Sequence, residues 1–295
     1  MFRKGHPFFY FYTFPKWTLE KFELKLIAMK RTLIKILAIG ILIGITNGCH
    51  HKEEKQIVIA NNDYLLLSTL FQQQAAEKRA LSYQAYNMAK FMLNDALKSA
   101  RLTKRLAVVV DIDETVLDNS PFEAKTIIEN TSYPKYWKEW CNDASAKAIA
   151  GSVEFLQYAK SQGVDVFYIT NRKEEFKEVT LKNLMEKGFP FADEAHILMK
   201  TDMSNKEPRR KIVEETHHII ILMGDNLGDF LHDFDGKPNN ERFALTDSLK
   251  HEFGRRFILL PNAMYGSWVG ELYNGDNDLP KAEKIKLMKE HLQSF

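Results

Sequence analysis

The stretch that decides the fold is Val108-Val109-Val110-Asp111-Ile112-Asp113-Glu114-Thr115-Val116-Leu117-Asp118-Asn119. Its run of β-branched apolar residues reads as a strand buried on both faces of a parallel sheet. The strand ends in two aspartates one residue apart, where the text turns polar. In an open α/β sheet, ligands bind beyond the carboxyl ends of strands, so both carboxylates face a site. Two acids this close repel each other unless a cation or a shared proton compensates. The pattern implies a metal, a substrate, or both.

Working outward, strand-like runs recur at Val164–Ile169, Ile197–Met199, Ile219–Met223 and Phe257–Leu260. Helical text lies between and after them, at Val153–Ser161, Lys173–Lys187, Glu207–Glu215 and Lys281–Leu292. Strands alternating with helices predict an α/β fold with a doubly wound parallel sheet. From Asp63 to about Lys104 the chain carries no Pro or Gly and reads as helix, with Tyr64, Leu67, Phe71 and Ala75 on a face expected to pack on the core. A polar insertion from Asp118 to Ala150 carries Tyr133, Tyr136, Trp137 and Trp140.

A second apolar strand ends in a second acidic loop, Ile219-Ile220-Ile221-Leu222-Met223-Gly224-Asp225-Asn226-Leu227-Gly228-Asp229-Phe230. Two further stretches stand out: Phe167-Tyr168-Ile169-Thr170-Asn171-Arg172-Lys173 and Leu260-Pro261-Asn262-Ala263-Met264-Tyr265-Gly266. With these loops in this order, residues from about Leu106 to the C-terminus resemble the haloacid dehalogenase superfamily, and within it the class C (bacterial lipoprotein) acid phosphatases. The chain departs from that pattern at Phe122, where the family usually has Tyr. The lysine motif is thin, with Lys206 the best match and Lys200 a competitor.

The resemblance implies a haloacid dehalogenase-like core with a small, mainly helical cap formed by residues 118–150. It also implies a phosphomonoesterase in which Asp111 is the nucleophile and forms an aspartyl-phosphate. Asp113 is then the general acid and later the base for hydrolysis. Mg²⁺ is the expected cofactor, held by Asp111, the Asp113 backbone carbonyl and Asp225, with Asp229 orienting a bound water or acting as an outer ligand. Thr170 and Asn171, read as ending a strand and opening a helix, are expected to bind phosphate, as is Lys206. Trp137 and Tyr265 match aromatics that stack the base of nucleoside 5′-monophosphates, including nicotinamide mononucleotide. A receiver-type domain is a weaker fit, given the insertion and the export signal. The opposing readings are a non-catalytic binding lipoprotein on the same fold and a phosphotransferase.

The 295 residues suit one large domain or one domain with a cap, and 45% apolar with 27% charged residues is ordinary globular composition. A net charge of +2 argues against nucleic acid as a partner. The first 48 residues hold eight Lys/Arg and two Glu; without them 33 basic residues face 37 acidic ones, a net −4. Residues 29–48 read as a secretion signal: a basic start at Met29, an apolar run from Leu33 to Ile45, then Thr46-Asn47-Gly48-Cys49. Cys49 resembles the lipidated cysteine of bacterial lipoproteins, although Thr46 stands where Leu is usual; an ordinary signal cleaved nearby, or an uncleaved anchor, is the alternative. Residues 49–61 then form a tether and 62–295 the phosphatase domain, lipid-anchored to a bacterial (outer) membrane at its periplasmic or surface face. Residues 1–28 fit no element, and translation is expected to start at Met29. Cys141 is read as a small buried apolar residue. His217 and His218 are read as the start of a strand rather than as ligands. Oligomeric state stays open, a homodimer included.

Overall fold

The computed structural model describes residues 62–99, 104–276 and 278–295, all within one compact unit. The expectations for residues 1–61, including the signal, the tether and Cys49, lie outside the described residues.

Five strands form one parallel sheet: β1 (Arg105–Val110), β4 (Asp165–Lys173), β5 (Ile197–Lys200), β6 (His217–Gly224) and β7 (Phe257–Leu259). Their order is β5-β4-β1-β6-β7, with β1 at the centre. Two short antiparallel strands, β2 (Leu117–Asp118) and β3 (Lys147–Ala148), pair separately. The central position of β1 explains its unbroken apolar text, since both of its faces are covered. Val108 and Val110 belong to a core built with Tyr86, Leu93, Leu156 and Leu184. Ala107 and Val109 belong to the opposite core, with Phe167, Val213, Phe230 and Phe257. Along β6 this alternation slips: Ile220 and Ile221 both pack on the first core. There the register jumps, Ala107 pairing with Ile219 and Val108 with Ile221, and one residue is left over as a bulge.

Helices cover both faces. The long helix α2 (Ala76–Ser99), α5 (Ser152–Ser161) and α6 (Lys177–Glu186) lie on the first, and α7 (Glu207–Thr216) on the second. The α/β fold with a doubly wound parallel sheet expected from the sequence is the fold observed. The insertion contains α3 (Ser120–Ile128), α4 (Trp137–Asp143) and the β2–β3 pair.

Two expectations need correction, and one helix had not been foreseen. The N-terminal helix is not continuous: Ala75 is extended, ending α1 (Leu66–Gln74) before α2 begins. With that break Leu67 is 80% exposed and Phe71 is exposed too, while Tyr64 and Ala75 are half-buried, so only part of the anticipated face is covered. Instead α1 packs on α3, burying Thr69 and Gln72, and the core contacts come from Tyr86, Ala89 and Leu93 of α2. Next, Thr170 and Asn171 do not open a helix. Strand β4 continues to Lys173, which pairs with Lys200, and α6 starts only at Lys177. Finally, α8 (Asn239–Ser248) had no expected counterpart, because Asn-Asn-Glu-Arg shows no apolar period.

Candidate active site

The tips of β1, β4 and β6 deliver the acidic loops to one place. Asp111 directly follows β1, and its N–H donates to the Met223 carbonyl at 2.9 Å, so its backbone is fixed against β6. The chain then reverses. Val116 and Leu117 both donate to the Ile112 carbonyl at 2.9 Å, and Glu114 adopts a left-handed φ of 58°. That conformation is uncommon for a residue with a Cβ. It is held by the fully buried Glu114 carboxyl, which accepts from the Asn119 N–H at 2.7 Å and from its Nδ2 at 3.2 Å.

Asp113 is the most tightly oriented acid. Its Oδ1 accepts from Arg172 Nε at 2.9 Å, Arg172 Nη2 at 2.8 Å and Asn119 Nδ2 at 2.7 Å. Among the described residues its Oδ2 has only the longer Arg172 Nε contact, at 3.3 Å. Asn119 is itself aimed by Trp140, whose Nε1 donates to its Oδ1 at 2.7 Å. Trp140 is therefore both packed against the core and polar-bonded.

Lys206 lies at the centre of the acidic cluster. Its buried ammonium bridges Asp111 Oδ1 and, at 2.7 Å, Asp229 Oδ1. Lys200, the competing lysine, donates instead to Ser204. Asp229 Oδ2 accepts the Asn226 N–H at 2.9 Å, so both of its oxygens are engaged. Asp225 Oδ2 takes Asn262 Nδ2 at 2.8 Å. Among the described residues, Asp111 Oδ2 and Asp225 Oδ1 meet only the Thr115 hydroxyl, at 3.4 Å each. Gly224 is obligatory for this arrangement: a Cβ there would lie 2.3–2.6 Å from Asp229 side-chain atoms.

Burial pushes the Asp111 carboxyl up, Lys206 opposes that, and Asp229 and Asp113 add to it. Asp225 is raised well above the ordinary carboxylate range, by burial first and then by Asp229 and Asp111. Lys206 is raised despite burial, because two carboxylates hold its proton. One lysine among these acids leaves the cluster short of positive charge. Asp111, Asp225 and Asp229 each offer an oxygen, all within 4.8 Å of one another, the one such group among the described residues. Hard carboxylate oxygens at this spacing fit a divalent cation such as Mg²⁺.

Helix α7 locks the loops together. Arg209 donates to the Thr170 carbonyl and to Asn171 Oδ1 at 2.8 Å, and Arg210 donates to the Asp229 carbonyl at 2.8 Å. Asn171, held through its oxygen, faces the cavity with Asp111 and Asp113. Thr170 is fully buried, accepts the Arg172 N–H at 3.0 Å, and is not among the residues lining that cavity.

The cavity measures about 420 Å³ and reaches from the acids to an aromatic outer end with Tyr64, Phe122, Trp137, Tyr265 and Tyr273. Trp137 meets Phe122 edge-on at 5.0 Å between ring centres, and the Arg172 guanidinium lies 5.5 Å from its ring. A larger, mostly apolar cleft of about 1650 Å³ beside Met88, Phe243 and Trp268 reaches Asp225 but not Asp111 or Asp113, and it lacks the convergent acids.

The two histidines fall outside this site. His217 starts β6 and bonds to Asp165, which starts β4, at 2.8 Å, at the other end of the sheet. Cys141 is buried, and burial pushes its thiol up to about 12.

A model of the HAD superfamily, subfamily IIIB (acid phosphatase), matches residues 50–268. The chain belongs to that family. Among solved structures, the class C acid phosphatase of Bacillus anthracis superposes with a TM-score of 0.78 at 43% identity, covering 80% of this chain and 100% of that one. The same enzyme with tungstate bound gives 0.77 at 42%, with the same coverage. Acid phosphatase 1 of Solanum lycopersicum is 30% identical over 137 residues, 42% of this chain. Vegetative storage protein 2 of Arabidopsis thaliana is 26% identical over 184 residues, 59% of this chain. The chain spans 51% and 65% of the length of these two plant relatives.

For this acid phosphatase family member, sequence reasoning located Asp111, Asp113, Asp225, Asp229, Lys206 and Asn171 in one cluster. It assigned no role to Arg172, Asn119, Asn262 or Arg209, although three of these stand inside the quoted stretches. Arg209 left no signal, since a lysine/arginine-rich helix start reads as a solvated surface.

Proposed function

We propose that this protein is a Mg²⁺-dependent acid phosphatase acting on nucleoside 5′-monophosphates, nicotinamide mononucleotide included, through a phosphoryl group carried on Asp111. The observation that supports this most is the division of labour between two aspartates. Asp111 is paired with Lys206, while Asp113 has Oδ1 occupied by three donor contacts and Oδ2 nearly free.

Phosphoryl transfer needs in-line positioning and neutralised charge more than covalent artifice. The Asp111 carboxylate attacks phosphorus while Lys206 offsets the charge of both the carboxylate and the phosphoryl oxygens. Asn171 can donate its amide to a third oxygen, since its carbonyl is held by Arg209. Asp113 carries a proton on Oδ2 and delivers it to the leaving alkoxide. Arg172 and Asn119 hold the other oxygen, so the proton's position is fixed. The resulting Asp113 carboxylate then takes a proton from the water that hydrolyses the phosphoenzyme. When bound by Asp111, Asp225 and Asp229, Mg²⁺ would supply charge neutralisation for the transferring group. Tungstate in the B. anthracis relative is a tetrahedral oxyanion with the same needs as phosphate.

The outer aromatic end supports a nucleotide reading, because a base can stack there on Trp137 or Tyr265. Phosphate release from nucleoside 5′-monophosphates, nicotinamide mononucleotide and an aryl phosphate, each with Mg²⁺ or EDTA, tests the assignment. Faster release from the nucleotides, lost in EDTA, is expected; equal rates on the aryl phosphate would reduce the reading to a general phosphatase.

We also propose that the protein is exported and lipid-anchored at Cys49. Among the described residues no helix is long and apolar enough to cross a membrane. Incorporation of labelled fatty acid that disappears in Cys49→Ser tests the anchor; a water-soluble, unlabelled product would contradict it.

A further inference from the structure

The outer end of the substrate cavity holds one charge that the proposed chemistry does not use. Glu123 sits on α3, one residue after Phe122, and lines the cavity with Tyr64, Trp137, Tyr265 and Tyr273. Its side chain is partly buried, yet no hydrogen bond or ion pair satisfies it among the described residues. The polar bonds at this position use the backbone: Thr126 Oγ1 donates to the Glu123 carbonyl at 2.9 Å, and the Glu123 N–H donates to the Asn119 carbonyl at 3.3 Å. The cavity's two cations are already committed, Arg172 to Asp113 and Lys206 to Asp111 and Asp229. Burial alone pushes the carboxyl up to about 7, the mark of a group with no partner to offset lost hydration.

An acid among aromatic faces is the arrangement that recognises an organic cation. The π faces attract positive charge and the carboxylate completes the pairing. A neutral base would gain from stacking but would leave the acid uncompensated. We propose that Glu123 is a specificity residue that makes this enzyme prefer 5′-nucleotides whose base carries a positive charge, such as an N-ribosylated pyridinium, over neutral ones. The inference rests on the nucleotide reading above and adds the charge of the base. Phe122 fits the same picture: lacking a hydroxyl, it offers Glu123 no hydrogen bond and supports Trp137 edge-on.

The test compares oxidised nicotinamide mononucleotide with its reduced form, which keeps the sugar and phosphate and loses the ring charge. Both are measured with Mg²⁺ at pH 7.5 on the same preparation of wild-type protein and of Glu123→Gln. The ratio of the two kcat/KM values cancels any loss of folded enzyme. The wild type is expected to favour the oxidised form, and Glu123→Gln should lower that ratio by about 5–10-fold. Glu123→Lys should lower it further. An unchanged ratio in both variants, with each nucleotide still hydrolysed, overturns the role of Glu123 and leaves the nucleotide reading intact. Hydrolysis of an aryl phosphate but of neither nucleotide overturns both.

Discussion

Arg172 grips Asp113 side-on, with Nε 2.9 Å and Nη2 2.8 Å from the same oxygen, Oδ1. Arg172 is itself buried, its Nη1 reaching Thr180 and its Nη2 also touching Asn119. The pair joins β4 to the loop after β1, so the proposed acid is positioned by the sheet rather than by its own flexible turn.

Arg172→Lys should therefore cost turnover more than binding. Lysine offers a point charge and cannot reproduce the planar fork, so Asp113 loses its fixed orientation. We expect kcat to fall by about 100-fold while KM changes little, in the range of misplaced general acids. Steady-state kinetics on a nucleoside 5′-monophosphate check this; an equal rise in KM with kcat preserved would instead mark Arg172 as a substrate clamp.

Lys206→Met should destabilise the fold and make it depend on a divalent cation. The substitution keeps much of the volume but leaves Asp111 and Asp229 buried without their partner. Breaking such a pair costs about 3–5 kcal/mol. Thermal denaturation should show a lowered Tm that Mg²⁺ raises more in the variant than in the wild type. A Tm insensitive to Mg²⁺ in both proteins would contradict a cation site at these aspartates.

Glu123 gives the chain a pH-dependent stability term whose sign is fixed. Its carboxyl titrates at about 7 when folded against an ordinary value of 4.5. Between those values the folded state holds a proton that the unfolded state has lost, so stability falls as pH rises. The contribution is fully present below pH 4.5 and gone above about 7. Glu123→Gln should flatten this slope, leaving the variant more stable than the wild type by about 1–3 kcal/mol at pH 8 once both are matched at pH 4. Urea denaturation across that range measures it, and parallel pH curves for the two proteins would refute the burial argument.

Much of the fold could be read from single stretches. The text of β1 announced a central strand because only a strand covered on both faces has no reason to alternate polar residues. The acidic loops were legible for the same reason: Asp111 and Asp225 each follow an apolar run that ends abruptly. What escaped was set by contacts distant in sequence. Arg172 looks like one more polar loop residue until Asp113, 59 positions away, accepts its fork. Thr170 and Asn171 looked like a helix start, whereas pairing of Lys173 with Lys200 keeps that segment in the sheet. Leu67 and Phe71 carried helical spacing, but a helix interrupted at Ala75 turned them to the surface. Glu123 gave no sequence signal at all, because a glutamate on a short helix is ordinarily solvated.

The central claim is that Asp111 carries the phosphoryl group, and rapid acid quenching of the enzyme during turnover with Mg²⁺ tests it most directly. Mass analysis of the peptide spanning Asp111 should show one phosphoryl group, and Asp111→Asn should show neither that adduct nor phosphate release. Phosphate release by Asp111→Asn at the wild-type rate would contradict the account.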